Sequence, residues 1–215
     1  MPEPGFFKQL GLFVVPNFIG QDWGVELCRQ MAAAPVEKAL VVGPTGERRL
    51  DENTRKVDRS LLPKEVEAPL NDRMRALIPE VAKHFGVQVA DCESPQYLIY
   101  RPGDFFKPHS DSGKSDEVRR RLVSAVIFLN RGSQEPAEGT YGGGELTFYG
   151  LMKGPQWEKC AFSLQAEPGL LIAFPSDMWH EVKPVLHGQR FTAVSWFDGP
   201  EPPPAATGDG ADGAD

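Results

Sequence analysis

Tyr100-Arg-Pro-Gly-Asp-Phe-Phe-Lys-Pro-His-Ser-Asp111 carries two signals in one stretch. Pro102-Gly103 is a turn signal set between two short apolar runs, Gln96–Tyr100 and Phe106–His109, so the segment reads as strand, turn, strand. His109 and Asp111 stand at its end. Side chains two apart on a strand share a face, with Cα atoms roughly 6.6 Å apart, close enough to share an ion. The same rhythm continues downstream through Leu122–Leu129, Gly144–Tyr149, Cys160–Gln165, Leu170–Phe174, Trp179–Val185 and Phe191–Phe197. Gly142-Gly-Gly144, Pro168-Gly169, Pro175 and Gly188 punctuate these runs. Eight short strands at this spacing predict a double-sheet jelly roll or a barrel.

The segment before residue 90 has a different pattern. Leu12 to Val15 reads as a first strand ending at Pro16. Trp23, Val25, Leu27 and Met31 have helical spacing, with Asp22 as the expected cap and an end near Ala34. Ala39–Leu50 reads as a hairpin around Gly43-Pro-Thr-Gly46. Val66, Leu70, Met74, Leu77, Ile78, Val81 and Phe85 predict an amphipathic helical stretch over Lys64–Phe85, kinked or split by Pro69 and Pro79 and stopped by Gly86. Helices followed by strands predict an α+β protein whose β part holds the chemistry. The expected organisation is one domain over 1–199, with helical support to about residue 90 and a β core from about 91. Residues 200–215 are mostly Pro, Ala, Gly and Asp, too poor in apolar side chains to fold, and are expected to be a disordered acidic tail.

The chain has 215 residues, 40% hydrophobic and 25% charged, enough for one domain with a real core. Its net charge of -7 argues against a nucleic-acid partner, whose capture rests on Lys and Arg. Glu201, Asp209, Asp212 and Asp215 lie in the tail, so the body carries only -3 of that -7. Cys28, Cys92 and Cys160 are too few and too scattered for a disulfide framework. The apolar run Leu10–Ile19 is too short to span a bilayer and is interrupted by Pro16 and Asn17. No leader pattern is evident, and no membrane partner is expected. The resulting expectation is a cytoplasmic protein.

His180 follows the strand and turn Leu170-Leu-Ile-Ala-Phe-Pro-Ser-Asp177, and Arg190 comes ten residues later. Two imidazoles and one carboxylate on one face of a metal suit Fe(II) and leave the opposite face open. A lone His-x-Asp is a weak signal, and a lone His ahead of a strand is ordinarily a surface residue. The joint order of His109, Asp111, His180 and Arg190 carries the reading. Arg190 falls in the last core strand, where its planar fork can bind a carboxylate through two parallel hydrogen bonds. Thr192 faces the same way and offers a hydroxyl donor.

On these residues the chain resembles the iron(II)- and 2-oxoglutarate-dependent oxygenases, specifically the prolyl 4-hydroxylase-like branch. The matching pieces are Tyr100 to Asp111, Phe128-Leu-Asn130, Gly143-Gly-Glu-Leu-Thr-Phe148, Trp179-His-Glu-Val-Lys-Pro-Val185 and Gly188-Gln-Arg-Phe-Thr192. The resemblance implies a double-stranded β-helix (jelly roll) with Fe(II), 2-oxoglutarate and O2, and with ascorbate as an accessory. It implies His109, Asp111 and His180 as catalytic metal ligands, Arg190 as the anchor of the distal carboxylate of 2-oxoglutarate, and Tyr100 as a further donor to it. The implied reaction hydroxylates an unactivated C–H bond while 2-oxoglutarate becomes succinate and CO2. Asp111 stands where related halogenases carry a small residue, which favours hydroxylation. Phe106 and Phe128 stand where many prolyl hydroxylases have Tyr, and Arg190 where many have Lys, so proline is a weaker inference than the reaction class. A prolyl residue in a peptide, a free amino acid and a specialised metabolite all stay open as substrate. A non-catalytic jelly-roll module that only binds metal is the competing reading.

Other features read as structural. Arg119–Arg121 is expected to be a solvated loop or strand start, Gly142–Gly144 a turn, and Arg131–Tyr141 a polar, lid-like loop. Trp179 and Trp196 are assigned to the core in preference to a pocket wall, and His84 and His187 are not taken as ligands.

Overall fold

The structure is a computed structural model that describes residues 4–43, 45–115, 118–151, 160–164 and 167–201. The expected disordered tail therefore lies outside the described residues from 202 onward, as does Gln165 at the end of one predicted strand. Four helices are described: α1 (Pro4–Gln9), α2 (Gln21–Ala33), α3 (Lys64–Ala76) and α4 (Ile78–Phe85). The first strands are β1 (Phe13–Val15), β2 (Val36–Lys38), β3 (Val41–Val42), β4 (Arg48–Arg49), β5 (Arg55–Lys56) and β6 (Asp58–Ser60). Then come β7 (Asp91–Cys92), β8 (Gln96–Tyr100), β9 (Phe105–His109), β10 (Arg121–Phe128), β11 (Arg131–Gly132) and β12 (Thr140–Gly143). The chain ends with β13 (Leu146–Tyr149), β14 (Ala161–Leu164), β15 (Leu171–Pro175), β16 (His180–Val182), β17 (Val185–Gly188) and β18 (Arg190–Asp198).

Two sheets face each other. The larger runs β1-β15-β10-β18-β8-β6-β2, with β7 also on β18, and the smaller runs β14-β13-β16-β9-β5. Strand alternation sets the layers. Tyr97 and Ile99 of β8, Val123, Ala125 and Ile127 of β10, and Leu171 and Ala173 of β15 face outward and pack with the helices. Leu98 and Tyr100, Val126 and Phe128, and Ile172 and Phe174 face inward, against Leu146, Phe148 and Val182 of the smaller sheet. The central strands are buried on both faces, which is why they read as continuous apolar runs. This is the α+β architecture with a jelly-roll core that the sequence predicts.

The helices close the outer face with Leu27 and Met31 of α2, Leu70 and Met74 of α3, and Val81 of α4, residues three or four apart on one side of each helix. The predicted long helix is split at Leu77, with Pro79 in the first turn of α4, where its missing N–H costs nothing. Pro69 is accommodated inside α3. Gly86 ends α4 in the left-handed region at φ 67°, as a glycine stop does. The cap of α2 differs from expectation: Gly20 holds that position and Asp22 sits in the first turn, where its charge still meets the positive end of the helix dipole.

The N-terminal part is more than helical support. β2 and β6 extend the larger sheet, and β5 extends the smaller one beside β9. These two- and three-residue strands carry mostly charged side chains, so no apolar period announces them. They exist because backbone edges take backbone partners: β6 pairs with β8, β2 with β6, and β5 with β9. The predicted strand Trp179–Val185 is two strands with Pro184 between them, and the loop after Asn130 is drawn back as β11 beside β12. No helix among the described residues is long and apolar enough to cross a membrane.

Candidate metal centre

The smaller sheet brings the two histidines together by register. His180 pairs with His109 across β16 and β9, and β13 places Phe148 on the other side of His180. Asp111 is outside the strand that the sequence suggests. β9 ends at His109, and the chain bends so that the Asp111 and Ser112 amides both donate to the Ser176 carbonyl, at 2.8 and 3.0 Å. The turn after β15 thus aims the carboxylate. Asp111 Oδ1 lies 3.5 Å from His109 Nε2, and Oδ2 lies 3.6 Å from His180 Nε2. One ligand atom from each of the three residues falls within 4.8 Å of the others.

Each imidazole is oriented from behind. His109 Nδ1 donates to the Lys107 carbonyl at 2.8 Å and His180 Nδ1 to the Met178 carbonyl at 2.9 Å. With both Nδ1 protons so engaged, both Nε2 lone pairs point into the cluster. The Phe106 ring stacks on His109 with centroids 3.5 Å apart, and Phe174 meets His180 edge-on at 4.7 Å. Ser124 donates to Asp111 Oδ2 at 2.7 Å and also contacts Ser176 at 3.0 Å.

Burial pushes the pKa of His180 down to about 4; the adjacent His109 acts in the same direction and Asp111 opposes both. At neutral pH His180 is therefore a neutral donor. Burial alone would raise the pKa of Asp111, but His180, His109 and the Ser124 hydroxyl overcome this and hold it well below the usual carboxylate range. A carboxylate with neutral imidazole is a donor set that suits Fe(II).

The cluster opens on a cavity of 580 Å³ that Arg190, Tyr100, Leu146, Val126 and Trp196 also line. Arg190 is 1% exposed, and its Nε and Nη2 have no hydrogen-bond partner among the described residues. Its guanidinium carbon stands 5.0 Å from the Tyr100 ring centre and 5.3 Å from that of Phe128. Gly144 makes room for it: at φ 63°, a Cβ there would meet Arg190 Cδ at 2.9 Å. Burial raises the pKa of Tyr100, so its hydroxyl stays protonated and able to donate. Thr192 is fully buried and lies behind the arginine, accepting from Nη1 at 3.4 Å, so it steadies Arg190 and does not reach the cavity wall.

Residues 95–198 match the sequence profile of the 2OG-Fe(II) oxygenase superfamily. The match spans just under half of the chain, and over that span the chain is similar to the 2OG-Fe(II) oxygenase domains. The chain is 25% identical over 194 residues to a PKHD-type hydroxylase of Hyphomonas neptunium, an alignment covering 86% of this chain and 77% of that protein. It is 34% identical over 106 residues to a PKHD-type hydroxylase of Shewanella sp., covering 48% of this chain but only 42% of that relative's length. Among solved structures, a Pseudomonas putida prolyl-4-hydroxylase superposes with a TM-score of 0.67 at 23% identity, covering 89% of this chain and 94% of that one. That likeness shows the shared fold. The oxygenase superfamily uses Fe(II), 2-oxoglutarate and O2.

Several lining residues carry no sequence signal. Trp179, assigned to the core from sequence, is 56% exposed at the cavity rim. Arg121 is a strand start, as one of the expected alternatives had it, opening β10, but it is buried: it pairs with Glu93 at 2.6 Å and lies over the Trp196 ring at 3.6 Å. Arg55 reaches the same cavity from β5, and Ser124 holds Asp111. Nothing local marks either residue, because both act through strand register. His187 contacts the Gln134 carbonyl at 3.3 Å, and His84 packs between Phe13 and Phe85.

Proposed function

We propose that the chain is an Fe(II)- and 2-oxoglutarate-dependent dioxygenase that hydroxylates an unactivated C–H bond. The balanced reaction takes substrate, 2-oxoglutarate and O2 to hydroxylated substrate, succinate and CO2. One observation carries the reading: the His109–Asp111–His180 cluster and the Arg190 guanidinium, whose Nε and Nη2 have no partner among the described residues, open on the same cavity. Bound Fe(II) supplies O2 activation and the oxidative decarboxylation of 2-oxoglutarate. His109, Asp111 and His180 would hold the ion, through two Nε2 atoms and a carboxylate oxygen. Arg190 anchors the distal carboxylate of 2-oxoglutarate by its two free donors, in a pocket dry enough to strengthen the pair. Tyr100 offers a hydroxyl to the same molecule, and Thr192 keeps the guanidinium in place.

The Phe106, Phe174 and Phe148 rings around the histidines keep bulk water from the ligands' flanks. The substrate is a small molecule or a peptide segment presented at the Trp179 rim. The three free cysteines, Cys28, Cys92 and Cys160, agree with a reducing, cytoplasmic setting. The test is Fe(II)-dependent formation of succinate from 2-oxoglutarate. His180→Ala is expected to abolish it, while His187→Ala leaves it nearly unchanged; equal effects would refute the ligand assignment. A protein that binds metal but never forms succinate would be the non-catalytic module instead.

A further inference from the structure

The proposed chemistry uses one buried guanidinium and leaves a second without a task. Arg55 opens β5, beside β9, and is 9% exposed. Its guanidinium carbon lies 4.8 Å from the centre of the Phe106 ring, the ring that stacks on His109. One aromatic ring therefore separates this cation from a candidate metal ligand. Nη1 donates to the Leu40 carbonyl at 2.9 Å, Nη2 reaches Gln96 Oε1 only at 3.5 Å, and Nε has no partner. Among the described residues no carboxylate pairs with it.

Its neighbours on the cavity wall are different. Lys38 pairs with Asp58 at 2.9 Å, Arg59 with Glu37 at 3.3 Å, and Arg121 with Glu93 at 2.6 Å. A guanidinium stays charged throughout the physiological range, and buried charges are ordinarily paired. Burial lowers the pKa of Arg55 while Tyr100 and Asp111 draw it back up, the pattern of a cation without a counter-ion of its own. Asp111 is already engaged by Ser124 and both histidines.

We propose that Arg55 binds a carboxylate of the primary substrate, so that the oxidised carbon belongs to an organic acid. This rests on the function proposed above. Arg55 and Arg190 stand on different sheets and line one cavity of 580 Å³, a size that holds more than one small acid. The two cations serve two anions, with 2-oxoglutarate at Arg190 and the substrate at Arg55. An internal prolyl residue in a neutral peptide has no charge to offer here. The carboxylate comes from a free acid, such as an amino acid, or from an acidic side chain in a peptide.

The test uses the full chain loaded with Fe(II) and 2-oxoglutarate. The panel comprises free L-amino acids, their carboxamides, and short prolyl peptides with and without Asp or Glu. Succinate release gives turnover, and anaerobic thermal shift gives binding independently of turnover. Carboxylate-bearing compounds are expected to bind and stimulate, while their amides do not. Arg55→Gln is expected to weaken that binding by at least about tenfold, with Arg55→Lys recovering part of it. Arg75→Gln, an exposed arginine, is the control and changes nothing. A response to free acids assigns the carboxylate to a small molecule, and a response to acidic peptides alone assigns it to a side chain.

Amides or neutral prolyl peptides matching the acids would overturn the proposal. So would no response from any acid, an unchanged response in Arg55→Gln, or an Arg55→Gln protein that loses 2-oxoglutarate instead. A wild-type protein that forms no succinate under any condition counts against the proposed function. Succinate formation with an Arg55-independent response counts against this inference alone.

Discussion

Replacing Arg190 with Met separates the binding reading from a structural one, because the two predict opposite signs. Without 2-oxoglutarate, Arg190 is a guanidinium at 1% exposure whose Nε and Nη2 have no partner among the described residues and whose hydrogen bond to Thr192 is 3.4 Å long. Removing an unpaired buried charge in favour of an apolar side chain of similar length is often neutral or stabilising. Arg190→Met is therefore expected to keep or raise the Tm of the ligand-free protein. Truncating one partner of a buried charge pair costs roughly 2–5 kcal/mol of binding, so 2-oxoglutarate should bind about 30- to 5000-fold more weakly. At 100 times its Kd the ligand stabilises wild type by about 2.7 kcal/mol. For a chain of this size that is about 5–10 °C in Tm. Scanning fluorimetry of the Mn(II)-loaded protein, with and without 2-oxoglutarate, should show that increment in wild type and its loss in Arg190→Met. A variant that loses Tm without ligand but keeps the full ligand increment would refute the assignment and make Arg190 a packing residue.

Other expectations follow from the groups behind the ligands. Ser124→Ala removes the hydroxyl on Asp111 Oδ2 and should weaken metal binding by about 10–100-fold while leaving the fold intact, checked by Mn(II) titration. In the metal-free protein the His180 ring should stay neutral down to about pH 5, since its pKa lies near 4; an NMR titration midpoint near 6.5 would contradict its burial. The sign for stability follows. His180 folds with a depressed pKa, so the unfolded chain takes up a proton first, and the contribution present above pH 6.5 is lost as pH falls toward 4. Asp111, also depressed, acts in the same direction and loses its contribution below the ordinary carboxylate range. Gly144→Ala puts a Cβ 2.9 Å from Arg190 Cδ in a left-handed residue; about 1–2 kcal/mol of stability and a weaker 2-oxoglutarate Kd should be lost together, measured by denaturation and fluorimetry.

What the sequence made legible has a common physical form. The inward and outward alternation of β8, β10 and β15 is written as apolar runs between glycine and proline, because packing on both faces leaves no place for polar residues. His109, Asp111, His180 and Arg190 stood out through their joint order and spacing, since a lone His-x-Asp or a lone His carries little weight. The strands β2, β5 and β6 were missed for the converse reason: their side chains are mostly polar, and their pairing with β8, β9 and each other comes from backbone groups that every sequence has. Ser124 is an ordinary serine until register sets it opposite Phe174 on one side and Trp196 on the other, facing the Asp111 carboxylate. Arg55 sits between Thr54 and Lys56, where no local pattern singles it out. Its lack of a counter-ion is a property of what surrounds it in space, and no local pattern encodes an absence. The same holds for Arg190, where the sequence supplied the cation and only the fold shows two of its donors unbonded in a cavity shared with the metal cluster. Charges that a chain buries but does not pair mark where its ligands bring the opposite charge, and here the two such cations lie on opposite sheets of one cavity.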